Sequence, residues 1–203
     1  MIRFINDPAN AITMIGLLFA MIASASALAG RLEIAVALSL WSLLADHLDG
    51  YVAARTRNRS MDMGEIGKHL DSFADLVSAG IFPGILALSL TKSHPIGICA
   101  AALLVAATAL RLAFFNVFGL YEARFIGVPT TYALPIVSAL FLAKPLLDAR
   151  IFTEVYLLTI TVLAVFFVSS LRVPKTKGIM YLVVSTYCIA ASGALAMRGW
   201  SIP

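Results

Sequence analysis

The sequence predicts an all-α fold, a polytopic integral membrane helix bundle with about six to seven transmembrane helices. The first observation behind this prediction is composition, since apolar side chains make up 61% of the 203 residues and charged ones only 13%. Soluble globular proteins lie far from these values. The second observation is that apolar runs of about 20 residues, long enough for a helix to cross a bilayer, recur along the chain. Backbone groups in lipid must be hydrogen-bonded within their own segment, so each run is expected to be helical.

Seven apolar segments follow one another along the chain. We predict spans at residues 10–29, 33–55, 70–91, 95–118, 128–147, 152–171 and 178–197. Residues 1–9 precede the first span and are expected to lie at the membrane interface. Because the connections leave no room for a soluble domain, residues 1–203 are predicted to form a single transmembrane domain.

Basic residues are distributed unequally between the two ends of these spans. Nine of the 15 Lys and Arg residues lie on the side of the N-terminus, five lie on the other side, and Arg111 lies within a span. The positive-inside rule places the more basic side in the cytoplasm. The formal net charge of +4 suits contact with an anionic membrane leaflet, so it requires no nucleic acid partner.

Four aspartates interrupt the second and third predicted spans. Asp46 and Asp49 are three residues apart, and Asp71 and Asp75 are four apart, so each pair shares one helical face. Ionisable residues inside membranes are costly and usually functional, although a helix cap or an ion pair would explain any one of them. A short loop brings both pairs to similar depth, where four carboxylates repel one another unless cations neutralise them. All-oxygen ligands favour Mg²⁺ or Mn²⁺, one or two ions, with Ca²⁺ as the other hard ion of this class.

Gly50 and Gly67 lie near these aspartates, within segments predicted to be helical. Glycine costs about 1 kcal/mol relative to alanine inside a helix, which indicates that another helix or a bound ligand approaches the backbone closely. A metal site, glycines and Arg55 at a membrane surface together suggest a substrate that carries phosphates, with the metal supporting phosphoryl transfer.

The segments DHLDGYVAAR and GKHLDSFAD closely resemble the signature of the CDP-alcohol phosphotransferase family. The signature begins with two aspartates three positions apart, and a Gly directly follows the second one. Two residues then precede an Ala-Arg pair. Eight further residues precede a Gly, an Asp and a second Asp that follow one another at steps of four. The positions that match it are Asp46, Asp49, Gly50, Gly67, Asp71 and Asp75.

This sequence departs from the signature around Arg55. Three residues separate Gly50 from Ala54 and Arg55, and eleven separate Arg55 from Gly67. One extra residue turns a helix by about 100°, so Arg55 takes the family's arginine position only if the helix bulges or has already ended. The longer connection carries Asp62 and Glu65, and we expect it to be a solvated loop without ligands.

Four further segments are similar to the phosphatidylserine synthase branch of this family: DSFADLVSAGIFPG, ALRLAFFNVFG, RFIGVPTTYALPI and FVSSLRVPK. The resemblance covers roughly residues 40 to 176. It implies a metal-dependent transfer of a phosphatidyl group from CDP-diacylglycerol to the hydroxyl of L-serine, with release of CMP. Homodimers are common in the family, so a homodimer is expected, and the positive-inside rule places the aspartates and the active site at the cytoplasmic side.

The resemblance assigns roles to individual residues. Asp46, Asp49 and Asp71 would be the principal metal ligands, and Asp75 would be a further ligand or the base that deprotonates the acceptor. The CDP and its phosphates would contact Gly50, Ala54, Arg55 and Gly67.

Acceptor binding is assigned to four other positions, which are Arg111, Arg124, Thr130 and Lys175. Arg111 is suited to bind the carboxylate of serine, because a guanidinium binds carboxylates in a bidentate way. An ion pair with one of the aspartates is the equally open alternative. Arg124 and Lys175 are also explained as loop charges, and Thr130 as the start of a helix.

Other functions remain open from the sequence. The same chemistry could use glycerol phosphate, inositol phosphate or choline as acceptor. An ion-coupled transporter also uses intramembrane carboxylates, and it would move its substrate without releasing CMP.

Overall fold

The computed structural model describes residues 1–56, 59–122, 124–174 and 179–201. Within them, the α-helices are α1 Pro8–Leu28, α2 Leu32–Ala53, α3 Met61–Asp75, α4 Phe82–Thr91, α5 Pro95–Phe118, α6 Ala133–Ala143, α7 Ala149–Phe167 and α8 Ile179–Ser201. A π-helical turn, Leu76–Ile81, joins α3 and α4 into one continuous helix. Short 3-10 turns form at Ile2–Asn6, Thr130–Tyr132 and Lys144–Leu146. Two short strands, β1 Arg124–Ile126 and β2 Arg172–Pro174, pair in an antiparallel manner.

The helix lengths confirm the predicted all-α membrane fold. Among the described residues, five helices are long and apolar enough to cross a bilayer: Pro8–Leu28, Met61–Thr91, Pro95–Phe118, Ala149–Phe167 and Met180–Trp200. The segment Thr130–Leu146 is apolar but shorter. With 22 residues, α2 is also long enough, although its two aspartates and His47 lower its mean hydropathy. It packs between α1 and α8, so we treat it as a membrane helix as well.

The third helix begins at Met61, whereas the predicted span begins at residue 70. The expectation of a loop around Asp62 and Glu65 is therefore wrong, because both lie in the first turns of α3, although both side chains are exposed as expected. The physical reason is a helix start signal, since the side chain of Ser60 accepts a hydrogen bond from the backbone N–H of Met63 at 3.3 Å. Asp62 adds a negative charge at the positive end of the helix dipole.

Small residues bring α1 and α2 close together. Gly16, Ala20, Ala23 and Ala27 are buried along one face of α1. A Cβ atom at Gly16 would lie only 2.9 Å from the Cβ of Ala45, so the two backbones approach more closely than larger side chains would permit. This contact places the N-terminal half of α1 against the aspartate-bearing end of α2.

The π-helical turn has a local cause in Pro83. Proline has no N–H, so the carbonyl of Ala79 lacks the donor that would continue the α-helical pattern. The wider turn ends at Ile81, two residues before this proline. Tyr156 of α7 fixes the same region, because its hydroxyl donates a hydrogen bond to the carbonyl oxygen of Pro83 at 2.8 Å. The helix that carries Asp71 and Asp75 is thus anchored in the core below them.

Candidate active site

Three carboxylates meet where α2 and α3 face each other. Asp46, Asp49 and Asp71 each offer one oxygen, and these oxygens lie within 4.8 Å of one another. Asp49 is buried and the other two are half-buried. The structure therefore brings together three of the four aspartates that the sequence predicts as ligands.

Basic side chains do not balance these carboxylates. In the described part of the chain, no Lys or Arg forms an ion pair with any of the four aspartates. His47 Nδ1 lies 3.6 Å from Asp46, but it is within hydrogen-bond distance, 2.9 Å, of the carbonyl oxygen of Leu43. Three close carboxylate oxygens without a cationic side chain are a donor set that fits a hard divalent cation such as Mg²⁺ or Mn²⁺.

Thr13 of α1 supports the cluster from the side. Its hydroxyl donates a hydrogen bond to Oδ2 of Asp49, which helps to fix the orientation of that carboxylate. Thr13 is not among the site residues predicted from the sequence. The only signal would have been a hydroxyl in the first turn of the first predicted span, and nothing local connects it with a residue 36 positions away.

Asp75 has a different environment from the other three aspartates. It lies one turn deeper along the membrane helix than Asp71 and is not part of the three-oxygen cluster. Thr130 lies in the 3-10 turn directly before α6. Its hydroxyl donates a hydrogen bond to Asp75 Oδ2 at 2.7 Å. Thr130 is buried, so this bond fixes the orientation of the Asp75 carboxylate. Its other oxygen, Oδ1, has no hydrogen-bond donor among the described residues.

Arg111 lies inside the bundle near Asp75. It is only 5% exposed, and its Nε donates a hydrogen bond to the carbonyl oxygen of Val128 at 3.3 Å. Its guanidinium carbon lies 5.4 Å and 5.7 Å from the ring centroids of Phe115 and Phe125. Within the described chain it forms no ion pair with an aspartate, and its two terminal nitrogens have no hydrogen-bond partner. Asp75 is nevertheless the carboxylate whose charge acts on Arg111, so acceptor binding and pairing with an aspartate both stay predictions.

The residues predicted to contact CDP lie at the ends of α2 and α3. Gly50 is exposed, and no atom would contact a Cβ placed there. The helix ends at Ala53, so Ala54 and Arg55 follow it, which meets the condition under which Arg55 takes the family's arginine position. The Arg55 guanidinium carbon lies 3.5 Å from the centroid of the Tyr51 ring, and the residue is exposed.

Gly67 is approached by protein side chains. A Cβ atom at this position would collide with Asn10 Oδ1 and a terminal nitrogen of Arg59. Arg59 donates hydrogen bonds to Asp7 Oδ2 at 3.0 Å and to Asn10 Oδ1 at 2.7 Å. Asn10 Nδ2 in turn donates to the carbonyl oxygen of Met63 at 3.3 Å. This cluster of Asp7, Asn10, Arg59 and Gly67 joins α1, α3 and the loop before α3, and the sequence analysis did not predict it.

The remaining predicted acceptor residues lie apart from the carboxylates or outside the described chain. Arg124 is exposed on β1, where its backbone pairs with β2 and with Tyr121. Lys175 lies outside the residues that the structure describes.

Comparison with known proteins identifies the family. The family model described as CDP-alcohol phosphatidyltransferase matches residues 7–197. Over 150 residues the chain is 31% identical to the archaetidylserine synthase of Methanothermobacter thermautotrophicus, which covers 73% of this chain and 61% of that protein. It is 33% identical over 150 residues to the CDP-diacylglycerol–serine O-phosphatidyltransferase of Helicobacter pylori, covering 69% and 60% of the two chains. The enzyme of the same name from Bacillus subtilis is 36% identical over 141 residues, covering 68% and 77%.

The matches therefore span about three fifths of the length of the first two relatives. The family match includes α1, which supplies Thr13, as well as the helices that carry all four aspartates. The predicted family resemblance is confirmed, and the chain belongs to the CDP-alcohol phosphatidyltransferase family.

Proposed function

We propose that this membrane protein transfers a phosphatidyl group from CDP-diacylglycerol to the hydroxyl of L-serine, forming phosphatidylserine and CMP. The observation that carries the proposal is the cluster of three carboxylates without basic partners, within a chain that belongs to this family. The names of the similar proteins support serine as the acceptor, since both the archaeal and the bacterial relatives are named for serine.

Asp46, Asp49 and Asp71 are the residues that would hold Mg²⁺ or Mn²⁺. When bound there, the ion would offset the charge of the diphosphate and of the departing CMP. Thr13 keeps the Asp49 carboxylate in a fixed orientation through its hydrogen bond. Gly50, Ala54 and Arg55 follow on the exposed side of α2, where they are placed to contact the cytidine and phosphate groups of the donor.

Asp75 is the residue proposed to remove the acceptor's proton. Thr130 occupies Oδ2, so Oδ1 is left to accept the proton from the serine hydroxyl. As the serine oxygen forms its bond to the phosphorus atom of the phosphatidyl group, the bond from that phosphorus to the CMP oxygen breaks. The proton then resides on Asp75, and the leaving group departs as CMP.

Arg111 is the residue proposed to bind the carboxylate of serine. The guanidinium of Arg111 lies inside the bundle and its terminal nitrogens have no hydrogen-bond partner among the described residues, so a bound carboxylate could accept from both nitrogens at once. Its position near Asp75 would align the two ends of serine, with the carboxylate on Arg111 and the hydroxyl on Asp75. Arg124, exposed on β1, and Lys175 are proposed to attract anionic substrates through their positive charges.

The proposal includes an orientation and an assembly. The active site faces the cytoplasm, because the positive-inside rule places the more basic end of the spans there. The protein acts as a homodimer, as the family resemblance implies, which cross-linking in membranes followed by gel analysis would test.

An acceptor screen tests the function. The full-length chain in detergent receives CDP-diacylglycerol and Mn²⁺ or Mg²⁺, and CMP release is measured with serine, glycerol phosphate, inositol phosphate or choline. We expect release that depends on serine and on the metal. Release with another acceptor would reassign the substrate, and substrate flux across vesicles without CMP release would instead indicate the transporter.

A further inference from the structure

A buried serine faces the aspartate cavity without a protein partner. Ser42 of α2 is 4% exposed and lines the same cavity as Asp46, Asp49, Asp71 and Asp75. Among the described residues its hydroxyl has no hydrogen-bond partner. This is unusual, because a serine inside a helix commonly bonds to a backbone carbonyl of the preceding turn.

Ser39, one turn earlier on the same helix, shows the usual arrangement. It is fully buried, and its hydroxyl donates a hydrogen bond to the carbonyl oxygen of Val36 at 2.8 Å. Ser42 lies four residues before Asp46 and seven before Asp49, so it shares their helical face. On the opposite wall, Gly16 has no side chain, and a Cβ there would lie 3.9 Å from Ser42 Oγ. The hydroxyl is therefore left without a protein partner in the cavity that the four aspartates also line.

The size and chemistry of the cavity limit what it can hold. The space that the centre of a water-sized sphere can enter is only about 10 Å³, roughly the room for one water molecule, so the cavity holds a small bound species and not a nucleotide. The phosphates of a lipid substrate approach from the headgroup side, which leaves the inner side of a bound cation to water. Mg²⁺ in proteins usually retains several of its waters, and a buried water needs two or more polar partners.

We infer that Ser42 is a positioning residue whose hydroxyl holds a water molecule bound to the metal on the inner side of the site. The inference rests on the metal site of the proposed function. It explains why a polar side chain is kept without a protein partner at this point of a membrane helix. The waters on ions of this type are tightly held, so their hydrogen bonds contribute to metal affinity as well as to its geometry.

The test measures Mn²⁺ binding directly, without substrates. Full-length protein in detergent is titrated with Mn²⁺, and free Mn²⁺ is read from its electron paramagnetic resonance signal. We expect Ser42→Ala to weaken binding about tenfold, the lower end of the range for groups that support metal ligands. Ser39→Ala is the matched control and should bind Mn²⁺ like the unaltered protein. Asp46→Asn marks the loss of the site.

Thermal stability without metal separates this role from a structural one. In the presence of EDTA, Ser42→Ala should melt like the unaltered protein, because its hydroxyl has no protein partner to lose. Ser39→Ala should melt lower, since it loses a hydrogen bond. Equal Mn²⁺ affinity in Ser42→Ala and the unaltered protein would overturn the inference, as would equal weakening in both serine variants. Absence of Mn²⁺ binding in the unaltered protein would overturn both this inference and the metal site of the proposed function.

Discussion

At the scale of single residues, the hydrogen bond from Thr130 distinguishes the environment of Asp75 from that of the other three aspartates. Thr130 binds one oxygen of Asp75, whereas Asp46, Asp49 and Asp71 direct oxygens toward one another. Replacing the carboxylate with an amide weakens metal binding if the residue is a metal ligand, and it removes the proton acceptor if the residue is a general base. More metal compensates for weaker metal binding, but it restores no proton acceptor.

We therefore predict opposite responses to metal for two variants. Asp71→Asn should lose CMP release at low Mn²⁺ and recover part of it at high Mn²⁺. Asp75→Asn should bind Mn²⁺ almost normally and release little CMP with serine at any metal concentration. The measurement is CMP release against Mn²⁺ concentration for both variants. Substantial recovery of Asp75→Asn by metal alone would instead make Asp75 a fourth ligand.

A second prediction concerns the guanidinium of Arg111. Arg111→Lys keeps the positive charge but loses the planar pair of donors that matches a carboxylate. Hydrogen bonds to charged groups contribute about 1.5–3 kcal/mol, so the apparent affinity for serine should fall about tenfold to a hundredfold. The apparent affinity for CDP-diacylglycerol should change much less. Steady-state kinetics with each substrate varied in turn provides the measurement.

The exposed Arg150 supplies the matched control for this variant. Arg150→Lys changes the same functional group at the start of α7, where it pairs with Glu154, and should leave the serine dependence nearly unchanged. Equal losses for serine and for CDP-diacylglycerol in Arg111→Lys would indicate that Arg111 supports the packing of Phe115 and Phe125 and does not bind the acceptor.

At the scale of helices and loops, the cluster of Asp7, Asn10, Arg59 and Gly67 fixes α1 against α3. The side chain of Asp7 is 3% exposed, and its partner Arg59 is 19% exposed. Removing one member of a mostly buried pair leaves the other charge without compensation. The pair also lies beside the helix end that carries Thr13, so it contributes to the geometry of the carboxylate site.

We predict that Arg59→Ala destabilises the protein by about 2–3 kcal/mol, somewhat below the range for fully buried pairs because Arg59 is partly exposed. The matched control is Arg150→Ala, which removes an exposed pair with Glu154 whose N–O distance is 2.9 Å. Exposed pairs of this kind contribute about 0–1 kcal/mol. Thermal unfolding in detergent measures both, and equal shifts for the two variants would contradict a structural role for Arg59.

The sequence predicts the site as far as local spacing reaches. Steps of three and four residues place Asp46 with Asp49 and Asp71 with Asp75, because helical periodicity alone determines those faces. The contacts of Thr13 with Asp49 and of Arg59 with Asp7 join residues 36 and 52 positions apart, and no local pattern encodes them. They follow from the close packing of α1, which depends on side-chain shape along the whole helix.

Helix boundaries show the same division between local and long-range information. The apolar segments predict the membrane helices because hydropathy acts along each segment separately. The start of α3 at Met61 was missed because a span was expected only where the chain is apolar, whereas Ser60 begins a helix that is amphipathic for two turns. The π-helical turn depends on Pro83, a signal that is visible in the sequence but does not specify a wider turn.

At the scale of the whole molecule, the helix from Met61 to Thr91 is longer than the membrane core. Its 31 residues extend about 46 Å, against about 30 Å for the hydrocarbon layer. If Thr91 lies at the far boundary and the helix stands along the membrane normal, about 20 residues span the layer. Asp71 then lies at the near boundary, at the base of the lipid headgroup layer, and Asp75 lies one turn inside it.

A reactive site at the membrane interface receives its two substrates from different phases, because CDP-diacylglycerol is dissolved in the membrane and serine is dissolved in water. CDP-diacylglycerol would reach the carboxylates by lateral diffusion, so its effective concentration is its mole fraction in the membrane or micelle. Serine arrives from water and is governed by its ordinary molar concentration. We predict that inert detergent added at constant total CDP-diacylglycerol lowers the rate through surface dilution, while the serine dependence stays the same. Measuring CMP release at several detergent-to-lipid ratios tests this, and a rate that followed total CDP-diacylglycerol would place the donor's encounter with the enzyme in the aqueous phase.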